Sequence, residues 1–328
     1  MRRFLPVIRV LFSAVAIGTL LHFYDVSTVV RRALSLPAST VAIAILLFAI
    51  ATLLAIVKWR LTLPSEVGFV ATVRAYVVSY FYSLSPAGQV GGELGKLLTL
   101  AKHASIRTLA GSLIFDKLTG LLALCLVGLL GWTAARGPLT TSMLVLVLGI
   151  AIACGIALGL AEPIARVVAR LASRSRHAVR FGNGVLSIAQ RLSHFARVPN
   201  LIVKSLALGV VAQAAMVAIY ILLARALGIA VPVPDLALLV VVANVAAVIP
   251  ISLAGLGVRE ASLVGLLALH NVPGENAIAL SLTAFAIFLL GVAAGALVEL
   301  HALLHAPVKR IVPRFPRTDT DSVAERRK

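Results

Sequence analysis

"SLSPAGQVGGELGK", residues 83–96, sets Pro86, four glycines, Glu93 and Lys96 inside an otherwise apolar part of the chain. A helix in hydrocarbon disfavours such a run: proline removes a backbone donor and glycine loosens the backbone. Non-helical backbone survives at membrane depth only where protein or a wet cavity covers its polar groups. The stretch therefore predicts an interrupted helix whose break faces the protein interior.

The surrounding composition makes the membrane the relevant solvent. The chain has 328 residues, 60% hydrophobic and 13% charged, with a mean hydropathy of +1.04. Soluble domains have about 45–50% apolar and about 25% charged residues. The chain reads as an integral membrane protein, without a polar segment long enough to be a separate soluble catalytic domain. Apolar runs near the roughly 20 residues of a bilayer span lie at 4–24, 38–57, 107–134, 139–161, 201–228 and 277–304. Two hydrophobic but interrupted stretches, 69–106 and 236–271, separate some of them.

The net charge of +18 does not indicate nucleic acid. Eight Lys/Arg fall within 162–204 and seven after His305. Both clusters flank apolar spans, as cytoplasmic segments do under the positive-inside bias, and also suit anionic lipid headgroups. If each interrupted stretch enters and leaves on one side, both chain ends, 58–68 (with Lys58 and Arg60), 102–107 and 162–200 fall inside. Segments 229–235 and 271–276 fall outside; Arg31, Arg32 and Arg136 depart from the bias. Within 162–200, Arg166, Arg170 and Arg174 recur opposite Ile164, Val167, Val168 and Leu171, which predicts an amphipathic helix on the inner leaflet.

An internal repeat underlies the pattern. AGQVGGE at 87–93 and AGLGVRE at 254–260 share Ala-Gly and a closing Glu at an offset of 167, from Gly88 to Gly255. The same offset carries 38–57 and 107–134 onto later spans. The charge-derived topology inverts the two copies. Paired glycine- or proline-broken segments in inverted repeats point to a site at the repeat interface. The predicted fold is thus all-α and polytopic, with about six spans and two re-entrant hairpins. It forms a single transmembrane domain over 1–308, with repeats at 38–161 and 201–304, a basic linker at 162–200 and a basic tail at 309–328.

The candidate binding residues follow from the breaks. Half-helices are expected at 93–103 and 259–269, with free amides at their amino ends offering partial positive charge. Gly88, Gln89, Gly91, Gly92, Glu93 and Lys96 belong to the first break; Gly255, Gly257, Arg259 and Glu260 belong to the second. Asp116 and Lys117 form a further charged pair inside 107–134; intramembrane charges usually face the bundle interior. The competing reading makes these charges structural ion pairs that lock the hairpins. Ser85, Asn244 and Ser252 are weaker candidates that would satisfy freed backbone groups. Cys125 and Cys154 read as small apolar residues, and His301 with His305 as a polar pair rather than a metal site.

P-A-G-x-x-G-G-E-x-x-K at 86–96, F-D-K at 115–117 and I-P-I-S-L-A-G-L-G-V-R-E at 249–260 resemble the blocks of the flippase-like membrane family. That family includes the transmembrane domain of lysylphosphatidylglycerol synthase (multiple peptide resistance factor). Lys96 and Lys117 stand where many relatives would have arginine. The resemblance implies handling of a lipid between leaflets, without the aminoacyl-transferase domain of that synthase. The expectation is a lipid flippase of a bacterial inner membrane, with no cofactor, and with anionic lipids and lipid-synthesis enzymes as partners. No G-x-x-x-x-G-K-[ST] loop or G-x-S-x-G elbow occurs, so a non-enzyme is expected. A non-transporting subunit of lipid synthesis, or an embedded enzyme using Glu93 or Glu260 as base, are the alternatives.

Overall fold

A computed structural model describes residues 26–85, 88–137, 140–171, 176–247 and 258–305. The described residues form eleven helices and no strand. They are α1 (Val26–Leu34), α2 (Ala38–Arg60), α3 (Phe69–Ser83), α4 (Gln89–Leu100), α5 (Ile106–Trp132), α6 (Thr140–Leu171), α7 (Arg176–Ala196), α8 (Pro199–Ala226), α9 (Val233–Ala247), α10 (Val258–Ala268) and α11 (Gly274–Leu304). The expected first span at 4–24 and the tail at 309–328 lie outside the described residues.

Five helices, α2, α5, α6, α8 and α11, are long and apolar enough to cross a bilayer. At about 1.5 Å per residue, even the 23 residues of α2 exceed a hydrocarbon core of roughly 30 Å. Their most apolar windows are 50% buried in α5 and α11 but 22% in α2 and α6. That contrast makes α5 and α11 the most enclosed of the five and leaves α2 and α6 greasy on the outside. Exposed Leu46, Leu53, Val145 and Ile152 are what a lipid-facing surface requires.

The two interrupted stretches each resolve into a pair of short helices, α3 with α4 and α9 with α10. α3 ends at Ser83, and Gly88 caps α4 with φ of +60°, a left-handed conformation that glycine adopts at little cost. α4 then folds back along α3. A Cβ built on Gly92 would stand 2.8 Å from the Ser79 carbonyl oxygen, and one on Gly95 2.7 Å from the Tyr82 ring. The glycines of the quoted stretch therefore do two jobs: one turns the chain and two let helices touch, as small residues do in membrane interfaces. The residues between α9 and α10, Gly255 and Gly257 among them, lie outside the described residues.

α2 to α5 and α8 to α11 have the same order of long, short, short and long helices, at nearly the 167-residue offset. Packing runs between these two sets: α3 lies on α11, α9 lies on α5, and α2 lies on α8. A Cβ on Gly295 of α11 would meet the Val77 carbonyl of α3 at 2.5 Å, and one on Gly128 of α5 would meet Val241 of α9 at 2.8 Å. The two short pairs start at opposite ends of the bundle. Arg74 near the start of α3 is 4.0 Å from Glu299 near the end of α11. Asp235 at the start of α9 instead accepts from the Arg136 and Gly137 amides just beyond the end of α5, at 2.9 and 2.6 Å. α9 is apolar and buried almost all round, with Leu236, Leu238, Leu239, Val240 and Val241 each at most 1% exposed, and so forms the centre of the main core.

The basic linker differs from the expected surface helix. α6 runs through Pro163 to Leu171 without a break, because its apolar pattern continues and Ala165 remains buried. The separate helix is α7, which packs along α6 and α5. Glu162 ties the two together, 3.8 Å from Arg166 and 3.1 Å from Arg197.

Candidate functional site

A cavity of about 260 Å³ is lined mainly by α3, α4 and α11, with single residues from α2, α5, α8 and α10. Its polar side takes Gln89, Gly92, Glu93 and Lys96 from α4, Lys117 from α5 and Arg259 from α10. Aromatic residues line it as well: Tyr76 and Tyr80 of α3 and Phe285 and Phe288 of α11, with Phe48 and Met216. Tyr80 and Phe288 meet edge to face at 5.6 Å between centroids, and the Tyr80 hydroxyl pairs with Thr52 at 2.9 Å. The wall is thus held by its own contacts.

Local helix geometry puts the charges there. Gln89, Gly92, Glu93 and Lys96 follow i, i+3, i+4, i+7 spacing, which places them on one face of α4. Glu93 is shared: Lys117 Nζ lies 2.6 Å from Oε1 and Lys96 Nζ lies 3.3 Å from Oε2. Lys96 is 4% exposed and sits 4.1 Å from the Tyr76 ring centre and 5.3 Å from that of Trp59. Ring faces stabilise a desolvated ammonium where water cannot. Arg259 donates to Glu260 Oε1 at 2.8 Å and lies 5.8 Å from the Phe285 centroid. Glu260 is 3% exposed, near Ser281 at 3.5 Å, in the first turn of α10, where the helix dipole favours a carboxylate.

Six of the twelve expected residues line this cavity: Gln89, Gly92, Glu93, Lys96, Lys117 and Arg259. Glu260 adjoins it through Arg259. Gly88 is the turn, and Gly91 is buried within the hairpin. Gly255 and Gly257 lie outside the described residues. Asp116 goes elsewhere. Consecutive helix positions point about 100° apart, and Asp116 meets Lys58 Nζ at 2.7 Å. That ammonium also donates to the Asp116 carbonyl at 2.6 Å.

Lys58 corrects the sequence reading, which set it in a cytoplasmic segment. It lies within α2 and is 5% exposed. The signal was available: a carboxylate in the middle of a span needs a cation from another helix. The aromatic wall was also missed, although Tyr76/Tyr80 and Phe285/Phe288 are spaced at i,i+4 and i,i+3.

The amino end of α4 also differs. α4 starts at Gln89, not at residue 93, because Gly88 rather than Gly92 makes the turn. The Gly91 and Gly92 amides bond back to the Gly88 carbonyl at 2.9 and 3.3 Å. The positive character of the cavity therefore rests on ammonium and guanidinium groups more than on helix amides. Asn244 is spent within its own helix, donating to the Val240 carbonyl at 2.8 Å.

No curated protein sequence matches the chain. The family model described as the lysylphosphatidylglycerol synthase TM region matches residues 7–295, which takes in both short helix pairs and all five long helices up to the last turns of α11. A multi-pass, all-helical membrane protein related to lipid modification or transport follows from that match and from the helices. The chain belongs to the lysylphosphatidylglycerol synthase transmembrane-region family.

Proposed function

We propose that the protein is a lipid flippase, moving an anionic or lipid-linked amphiphile between the leaflets of a bacterial inner membrane. The observation that carries this reading is the cavity lined both by Lys96, Lys117 and Arg259 and by the aromatic rings of α3 and α11. A phosphate passing through hydrocarbon needs counter-charge at depth, and its glycerol or isoprenoid neighbours need an apolar wall.

The exchanged packing of the short pairs supports an inverted repeat with two re-entrant hairpins in one transmembrane domain. Rocking of one repeat against the other would open the cavity to each leaflet in turn. In this reading both chain ends are cytoplasmic, and the basic ends of α6 and α7 rest on anionic headgroups. The protein catalyses no covalent step; lipid-synthesis enzymes would supply or receive its cargo.

The test is reconstitution of the full chain in liposomes carrying a fluorescent anionic lipid in one leaflet. Accelerated equilibration, lost in Arg259→Ala with the fold retained, is the expected result. Unchanged equilibration across lipid classes would favour an organising subunit instead, and a new lipid product an embedded enzyme.

A further inference from the structure

Two polar groups at the cavity are left over from its ion pairs. Glu93 Oε1 meets the Lys117 ammonium at 2.6 Å and accepts from Lys96 at 3.5 Å. Glu93 Oε2 differs. It is closed off from solvent and accepts no hydrogen bond among the described residues, although Lys96 Nζ lies 3.3 Å away. The Lys96 ammonium is itself held against the Tyr76 and Trp59 rings, at 4.1 and 5.3 Å from their centres. One turn earlier on the same face of α4, the Gln89 side chain is exposed and lines the cavity. Its carboxamide has no hydrogen-bond partner among the described residues.

A buried carboxylate oxygen without a donor is costly, more so than a neutral acceptor. An ionised carboxylate only accepts, so whatever completes it must bring an O–H or N–H. An ammonium there would stand beside Lys96 and Lys117, which already crowd the same carboxylate. A neutral hydroxyl satisfies Oε2 without that repulsion. Gln89 offers a donor and an acceptor one helical turn off, about 5–6 Å between Cβ atoms, a gap that a headgroup with more than one hydroxyl can span. We infer that the cavity contains a polyol subsite: Glu93 Oε2 and the Gln89 carboxamide take the hydroxyls of a headgroup whose phosphate lies against the half-exposed Lys117. This makes the cargo of the carrier proposed above a polyol phosphodiester and rests on that reading for its purpose, while the unfilled acceptor stands apart from it.

The experiment uses the full chain in micelles, with phosphatidylglycerol and phosphatidylpropanol displacing a fluorescent phosphatidylglycerol. The two lipids carry the same charge and differ only in the hydroxyls of the glycerol headgroup. The expected preference for phosphatidylglycerol is roughly tenfold, the worth of a hydrogen bond to a charged group. Glu93→Gln weakens one partner and Gln89→Leu removes the other, so each should cut the preference severalfold. Lys117→Gln should weaken both lipids alike, since both carry the phosphate; a loss confined to phosphatidylglycerol overturns the placing of the phosphate. Equal binding of the two lipids by the unaltered chain overturns the inference, as it leaves Oε2 to water. A full preference in either folded variant does the same, and the exposed position of Gln89 keeps that variant informative if Glu93→Gln fails to fold. Preference without movement in liposomes would sink the carrier reading alone; movement without preference would sink the polyol subsite alone.

Discussion

Lys117 reaches from α5 to Glu93 on α4 at 2.6 Å, while Asp116, its immediate neighbour, turns the other way to Lys58 on α2 at 2.7 Å. One helix thus carries two ion pairs in opposite directions, one at the cavity and one closed in the protein. Their surroundings differ: the Lys58 side chain is 6% exposed and that of Lys117 52%. The two pairs should behave differently on mutation.

Removing Lys58 strands a buried carboxylate. Lys58→Met should cost about 3–5 kcal/mol, and adding Asp116→Leu should recover most of it, since a buried pair replaced as a unit is often close to neutral. Lys117→Gln should cost under about 1 kcal/mol, in keeping with a half-exposed pair. Denaturant unfolding in micelles, followed by near-UV signal, checks both; equal losses at the two lysines would contradict the assignment.

The hairpin glycines give a second contrast. Gly92→Ala should destabilise by about 1–3 kcal/mol, because the added methyl meets a backbone carbonyl that cannot swing away. Gly88→Ala should cost about 1–2 kcal/mol through its positive φ. Gly149, in α6 with open space around it, is the control: Gly149→Ala should be neutral or gain up to about 1 kcal/mol. Midpoints of thermal unfolding in the same detergent rank the three.

Asp235 holds the amide ends of the α5–α6 turn. Asp235→Ala leaves the Arg136 and Gly137 donors unsatisfied and should cost about 1–3 kcal/mol. Gly137→Ala should be at least as harmful, since its Cβ would lie 2.5 Å from the His270 ring and 2.8 Å from the Asp235 carboxylate. Hydrogen exchange at the start of α9 should accelerate in both variants.

Sidedness can be read by labelling. Cys125 and Cys154 are buried, so single cysteines can be introduced over a low background. A membrane-impermeant maleimide added from outside intact cells should label Arg136→Cys and spare His103→Cys. Labelling of both from the same face would refute opposed entry of the two short pairs.

Much of this was legible in the sequence because its determinants are local. Apolar runs located α2, α5, α6, α8 and α11 to within a few residues at most ends, and Pro86 with its glycines located the first break. The second expected break, at 254–260, falls largely outside the described residues, between the end of α9 and the start of α10. What stayed hidden depends on contacts between distant segments. Nothing adjacent to Lys58 distinguishes it from a residue at a membrane edge; only Asp116 on another helix explains its burial. The end of α6 was misread for a related reason: Arg166 and Arg170 match a surface helix, but the span simply carries on beneath them.

The packing of early helices against late ones has a consequence for biogenesis. Tyr82 on α3 donates to Glu299 on α11, 217 residues further along the chain, and the Gly295 surface that receives α3 belongs to a helix made long after it. A ribosome inserting this protein releases the first hairpin long before its cover exists. In the interval, Lys96 and the broken backbone around Gly88 must be shielded by lipid rearrangement or by the insertion machinery. Truncation before α11 should therefore leave a nascent chain that membrane proteases recognise, however complete its earlier helices are.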